Sequence, residues 1–120
     1  MHIAITGASG NAGTALLRKL QAQLSEKPGS LKLTGISRRR PDTGREPYSG
    51  VEWHTLDIGL DSDRAQLDAA LEGVDSVVHL AWQIQPNRDL EELYRTNVAG
   101  TRNVLAAASR AASCSALCRL

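Results

Sequence analysis

The chain has 120 residues, 42% of them hydrophobic, and a formal net charge of +1. That length suits one domain with a modest core, and the near-neutral charge argues against nucleic acid or a strongly acidic macromolecule as partner. No stretch approaches the roughly 20 apolar residues of a membrane span, and the N-terminus lacks a basic-then-apolar targeting pattern. A cytoplasmic protein with no membrane partner is therefore expected.

In chain order, residues 2–6 (HIAIT) form a short apolar strand that runs into the glycine-rich stretch TGASGNAG at 6–13. From 11 to 24, Leu16, Leu17, Leu20 and Leu24 recur at helical spacing, and Pro28-Gly29 ends that helix. Residues 31–37 alternate as a second strand, and 38–50, with Pro41, Gly44, Pro47 and Gly50, form a loop. A third strand covers 51–56. Asp61, Ser62 and Asp63 offer caps for a short helix through Leu71, closed by Gly73. Residues 74–81 carry Val77, Val78, Leu80 and Ala81 in a near-continuous apolar run, the pattern of a strand buried on both faces. A long helix is expected from about 87 to about 110. Alternating strands and helices with short connections predict an α/β fold, a parallel sheet covered by helices.

A strand, a glycine-rich turn and a helix together present backbone N–H groups to an anion. Gly7 permits the tight turn, Gly10 lets a phosphate approach without a Cβ in its way, and Gly13 lets the helix pack on the strand. A purely structural turn is the competing reading. A Walker-type phosphate loop is excluded, because Thr14 rather than Lys follows the last glycine. The second strand ends GISRRRP, with Arg38, Arg39 and Arg40 and no carboxylate before Asp42. In a dinucleotide fold this is where the adenosine ribose is read, and planar guanidinium groups suit a 2′-phosphate. NADP rather than NAD is the expected cofactor; a solvated basic loop is the alternative. After the third strand, Asp57 is a candidate acceptor for the adenine amino group with Ile58 flanking the ring, or else an ordinary loop carboxylate.

With these pieces assembled, the sequence resembles the N-terminal portion of an extended short-chain dehydrogenase/reductase of the NAD-dependent epimerase/dehydratase type. The likeness runs over residues 1 to about 110. It rests on TGASGNAG, LDIGLDSDRAQLDAALEGVDSVVHLAW and NVAGTRNVLAAASRA. The resemblance implies a Rossmann sheet with cofactor across the carboxyl ends of its strands, and for the four strands of this chain the order 3-2-1-4. It implies Asn11 and Ala12 near the pyrophosphate beside Gly7, Gly10 and Gly13, Arg38 and Arg39 at the 2′-phosphate, and Asp57 and Ile58 at the adenine. Leu80, Ala81 and Trp82 follow the fourth strand, where the family lines the nicotinamide ribose. Asn97 matches the family's active-site asparagine. Its residue neighbours suggest the same helical face as Leu90, Tyr94, Thr101 and Val104, hence a buried stripe, where a structural hydrogen bond to backbone explains the amide equally well.

The family's chemistry also requires a Tyr-x-x-x-Lys pair. Four residues after Tyr48 stands Glu52, and four after Tyr94 stands Val98, so the pair is absent from this chain. Beyond 110 the composition changes abruptly to SCSALCRL, which holds both cysteines. Residues 1–110 thus read as an incomplete Rossmann-like domain, a partial fold truncated before its fifth strand, and 111–120 as an atypical tail of a truncated or frameshifted frame. Two thiols without nearby His make no metal site. Two functions compete: the NAD(P)-binding portion of an oxidoreductase or epimerase acting on an unidentified small molecule, and a non-catalytic nucleotide-binding module. The open side of the fourth strand is expected to drive self-association, as a homo-oligomer or through the edge, or to be captured by the tail.

Overall fold

The computed structural model describes residues 1–83, 89–111, 114 and 116–119, the last four as backbone only. Its elements are β1 (His2–Thr6), α1 (Asn11–Glu26), β2 (Lys32–Ser37), β3 (Glu52–Thr55), a 3₁₀ turn (Asp61–Asp63), α2 (Arg64–Ala70) and β4 (Ser76–His79). Next come α3 (Leu90–Tyr94), a π-helical turn (Arg95–Ala99), α4 (Gly100–Arg110) and β5 (Ala116–Arg119). The sheet order is β3-β2-β1-β4-β5, with every pairing parallel. The expected order 3-2-1-4 stands, and every expected strand is present, β1 with the expected bounds and the other three shorter.

β1 is central because it is bonded on both sides: Ile5 lies opposite Gly35 of β2 and Val78 of β4. Strand alternation then divides its side chains between two layers. Ile5 joins Leu33 and Leu17 beneath α1, with Leu16, Leu20 and Leu24 packed at the margin. Ala4 joins Ile36, Val77, Leu67 and Val104 beneath α2 and α4. The leucine stripe read from the sequence is the inner face of α1, and complete burial of Leu17 is worth roughly 2 kcal/mol. Gly35 is required by packing, since a Cβ there would stand 2.6 Å from the Trp53 ring. That ring is held by its Nε1–H donating to Tyr48 O at 3.0 Å and by an edge contact with Tyr48 at 5.9 Å.

Three expectations are corrected. First, the expected long helix is not uniform. Asn87 lies outside the described residues, and at 95–99 the helix widens into a π turn. The extra residue rotates α4 relative to α3, so the stripe of Leu90, Tyr94, Asn97, Thr101 and Val104 does not share one buried face. Leu90 is 75% and Tyr94 57% exposed, whereas Thr96, Asn103 and Val104 are buried. Second, Asp63 caps α2 by position but makes no side-chain cap bond; its Oδ2 accepts the N–H of Asp57 at 2.8 Å instead.

Third, the sheet does not stop at four strands. Residues 116–119 of the tail pair with β4, Ser76 opposite Ala116 through His79 opposite Arg119. Of the outcomes expected for that edge, capture by the tail is the one observed. The physical reason is that ladder bonds are made by backbone, so an unusual side-chain composition does not prevent a segment from satisfying an open edge. Cys114 packs against the α2/α4 layer as a small apolar group.

Removing residues 112–120 should therefore uncover the N–H and C=O groups of β4. The shortened chain is expected to associate more strongly than the full chain in size-exclusion chromatography with light scattering. Equal behaviour of the two would show that β4 needs no cover.

Candidate functional site

The carboxyl ends of parallel strands are where an open α/β sheet forms a crevice. Here a cavity of about 470 Å³ lies there, lined by residues from all three segments that follow β1, β2 and β3, from the exit of β4, and by Thr96. Its floor is the glycine turn. Gly7 adopts φ +68°, a left-handed conformation that favours glycine, and a Cβ on it would stand 2.8 Å from Ala81 N. Gly7 N–H donates to Ile36 O at 2.9 Å, which hangs the turn on the end of β2. Gly13 faces inward: a Cβ would stand 2.5 Å from Ala8 O and closer still to Gly7 O.

Gly10 differs from both. Its backbone is extended, open to any residue, and the nearest atom to an added Cβ is Gly7 O at 3.3 Å. A Cβ there would press on one backbone oxygen without the outright clash found at Gly7 and Gly13, so the fold demands glycine less strictly at this position. Gly10 is also the N-cap of α1, which has no side-chain cap and no acidic residue in its first turn. The first N–H groups of this 16-residue helix thus keep their capacity to donate, with the positive end of the dipole behind them.

A hydrogen-bond chain holds the two sides of the turn together. Thr6 Oγ1 accepts the N–H groups of Leu80 (3.2 Å) and Ala81 (3.3 Å) and lies 2.6 Å from His79 Nδ1. Since the oxygen already accepts twice, its proton goes to Nδ1, which leaves Nε2–H of His79 to donate to Thr101 Oγ1 at 2.9 Å. His79 is 3% exposed. Its role is legible only in three dimensions, because the three residues are far apart in sequence.

Of the expected site residues, Gly7, Gly10, Arg38, Arg39, Asp57, Ile58, Leu80, Ala81 and Trp82 line the cavity together. Asn11 and Ala12 are exposed on the first turn of α1, beside it rather than within its wall, and Gly13 is buried under the turn. Arg38 is exposed, with Nη1 3.3 Å from Glu92 Oε1. Asp57 has its Oδ1 accepting Gly59 N–H at 2.9 Å and its Oδ2 3.8 Å from Arg95 Nη2, so this carboxylate shapes its own loop as well as facing the cavity. Ile58 packs under Gly100, where a Cβ would stand 2.9 Å from its side chain. Asn97 clamps the exit of β4: its Oδ1 accepts Gln83 N–H at 2.8 Å and its Nδ2 donates to Gln83 O at 3.0 Å.

Sequence reasoning missed Ser9, Ile36, Ser37, Leu56, Gln83 and Thr96 as lining residues. The last two carry buried oxygens, Gln83 Oε1 and Thr96 Oγ1, that have no partner among the described residues. Orphaned polar atoms in a cavity wall are costly unless a ligand or water meets them. Two groups of displaced acidity lie away from the cavity. Burial pushes the His2 imidazole down, and a hydrogen bond from His54 holds the Glu52 carboxyl down. Both residues sit at the amino ends of their strands, opposite the cavity.

Among the described residues no three His, Cys, Asp or Glu side chains are placed to hold a metal ion, and no helix is long and apolar enough to cross a membrane. The cavity suits a dinucleotide: an uncapped helix start for a phosphate anion, guanidinium groups in its wall, and the unpartnered oxygens of Gln83 and Thr96 among its lining residues.

Comparison with known proteins agrees with that geometry. The chain is 36% identical over 107 residues to an uncharacterized protein of Mycobacterium tuberculosis, covering 89% of this chain and 10% of that one. It is 33% identical over 107 residues to the L-arabinose 1-dehydrogenase (NAD(P)(+)) of Haloferax volcanii, covering 89% and 35%. Among solved structures, a short-chain dehydrogenase/reductase superfamily protein of Agrobacterium tumefaciens with bound NAD superposes with a TM-score of 0.76 at 25% identity, covering 99% of this chain and 32% of that one. The chain thus spans about a third of the two dehydrogenase relatives and a tenth of the mycobacterial protein. The model of the NAD dependent epimerase/dehydratase family matches residues 3–117, and the chain, with its NAD(P)-binding fold, belongs to that family.

Proposed function

We propose that this chain binds NADP, and that it forms the cofactor-binding portion of an oxidoreductase or epimerase acting on a small molecule. The observation that carries the cofactor choice is the end of β2, where Arg38 and Arg39 line the cleft and no carboxylate follows before Asp42. In this reading the N–H groups of Asn11 and Ala12 meet the pyrophosphate over Gly10. Ile58 flanks the adenine with Asp57 beside it, and Leu80, Ala81 and Trp82 border the nicotinamide end. The bound cofactor supplies hydride transfer chemistry; the residues of this chain bind and orient it. Asn97 acts as a positioning residue, holding the Gln83 backbone at the cleft rim.

A non-catalytic nucleotide-binding module is the second reading, favoured by the two tyrosines. Tyr48 spends its hydroxyl on Thr14 Oγ1 at 3.0 Å, away from the cleft, and Tyr94 is exposed on α3. Neither has a lysine four residues on, so the Tyr-x-x-x-Lys pair is absent from these residues. Both readings share the binding site and differ only in what is joined to it.

Two substitutions separate the roles of the glycines. Gly13→Ala should cost about 3 kcal/mol of stability by overpacking, read by chemical denaturation. Gly10→Val should cost about 1 kcal/mol, the usual value of a poorer N-cap, yet abolish binding of NADPH in calorimetric titration. Undiminished binding by a folded Gly10→Val variant would remove the pyrophosphate from this turn.

Arg38→Ala and Arg39→Ala should weaken NADPH binding while leaving NADH binding nearly unchanged. Each charged hydrogen bond is worth roughly 1.5–3 kcal/mol, or about 10- to 150-fold in affinity. Equal losses for the two cofactors would assign the arginines to another task.

A further inference from the structure

The cleft has a counter-ion that belongs to neither the glycine turn nor the arginine run. Glu92, on α3, places Oε1 3.3 Å from Arg38 Nη1 and 3.1 Å from Gln83 Nε2. Arg38 leaves the end of β2 and Gln83 the exit of β4, so one carboxylate oxygen spans the two rims of the cavity on either side of β1. Its position is set locally: Glu92 N–H donates to Asp89 Oδ1 at 3.1 Å, the N-cap bond of α3. The Glu92 side chain is 29% exposed against 52% for Arg38, so the acid is the more sheltered partner.

We propose that Glu92 is a specificity-determining residue that competes with the cofactor's 2′-phosphate for Arg38 and so narrows the preference for the phosphorylated dinucleotide. The inference rests on the assignment of Arg38 to that phosphate. The guanidinium of Arg38 has a carboxylate partner before any ligand arrives. A 2′-phosphate, carrying a charge near −2, must take Arg38 from Glu92 and then lie beside that carboxylate. A ribose with a free 2′-hydroxyl makes no such demand, so the carboxylate penalises one cofactor and is neutral to the other. Gln83 Nε2 gives Glu92 a second hydrogen bond to retain when Arg38 departs, which keeps the negative charge at the rim.

Glu92→Gln removes the charge, keeps the length and leaves an amide oxygen for Gln83. Exposed ion pairs are worth about 0.2–1 kcal/mol, so the full chain carrying this change should bind NADPH about 1.4- to fivefold more tightly. NADH binding should shift by less than the NADPH gain, and raised salt should shrink the difference between variant and parent. In the Arg38→Ala background the same change should produce a smaller gain, because only the carboxylate's repulsion of the phosphate is left to relieve. Calorimetric titration of NADPH and NADH into the parent chain, both single variants and the double variant reads all four affinities. If Arg38→Ala weakens NADPH selectively while Glu92→Gln leaves NADPH unchanged, or alters both cofactors equally, the proposal falls and the 2′-phosphate assignment stands. If Arg38→Ala weakens neither cofactor or both alike, the assignment falls and takes the proposal with it. Glu92→Ala, which also releases Gln83, must move NADPH in the same direction as Glu92→Gln; the opposite direction would assign Glu92 to holding the cleft together.

Discussion

The close approach of the Gly7 backbone to Ala81 is the contact on which the remaining geometry depends. No side chain fits between the end of β1 and the exit of β4, since a Cβ on Gly7 would meet backbone atoms within 3 Å. The approach brings Thr6 Oγ1 to the N–H groups of Leu80 and Ala81, and His79 ties the same hydroxyl to Thr101 on α4. The glycine turn, the rim of β4 and the helix behind it thereby become one rigid unit. The proposed meeting of a pyrophosphate with backbone N–H groups needs that rigidity, because each donor is fixed by the chain and none can reorient.

Above this floor the cleft is electrostatically mixed. The start of α1 and the arginines after β2 favour an anion, while Asp57 and Glu92 place carboxylates near the same ends. Asp57 is held by Gly59 N–H and faced by Arg95, and Glu92 is held by Gln83 and faced by Arg38. Each acid therefore has a structural partner, Asp57 within the cavity wall and Glu92 bonded to two residues of that wall. Such double engagement keeps a charged crevice from costing the fold more than the ligand can repay.

The far side of the sheet obeys a different logic. β4 has the apolar composition of an inner strand, with Val77 and His79 buried, and its outward ladder is filled by residues 116–119. Backbone donors and acceptors are the same on every residue, so an edge can be closed by a segment whose side chains give no sign of it. The widened turn at 95–99 is a related case. It places Thr96 toward the cleft and Asn97 against the Gln83 backbone, a choice made by packing across the cavity and not by helical period.

The sequence by itself determined the first four strands, the helix α1 and the floor of the site. The HIAIT run, the leucines of α1 and the glycines at 7, 10 and 13 act through neighbours only a few residues away, so local spacing suffices to read them. Arg38 and Arg39 were legible for the same reason, as the residues directly after a recognisable strand. The tertiary structure alone decided which polar groups meet. Thr6 with His79, Asp57 with Arg95, Asn97 with Gln83 and Glu92 with Arg38 are separated by 14 to 73 positions. Their pairing is dictated by strand order and by the π turn, neither of which leaves a periodic trace in the chain. It also decided the fate of the tail, because an unpaired strand edge exerts its demand through space, on whichever backbone comes within reach.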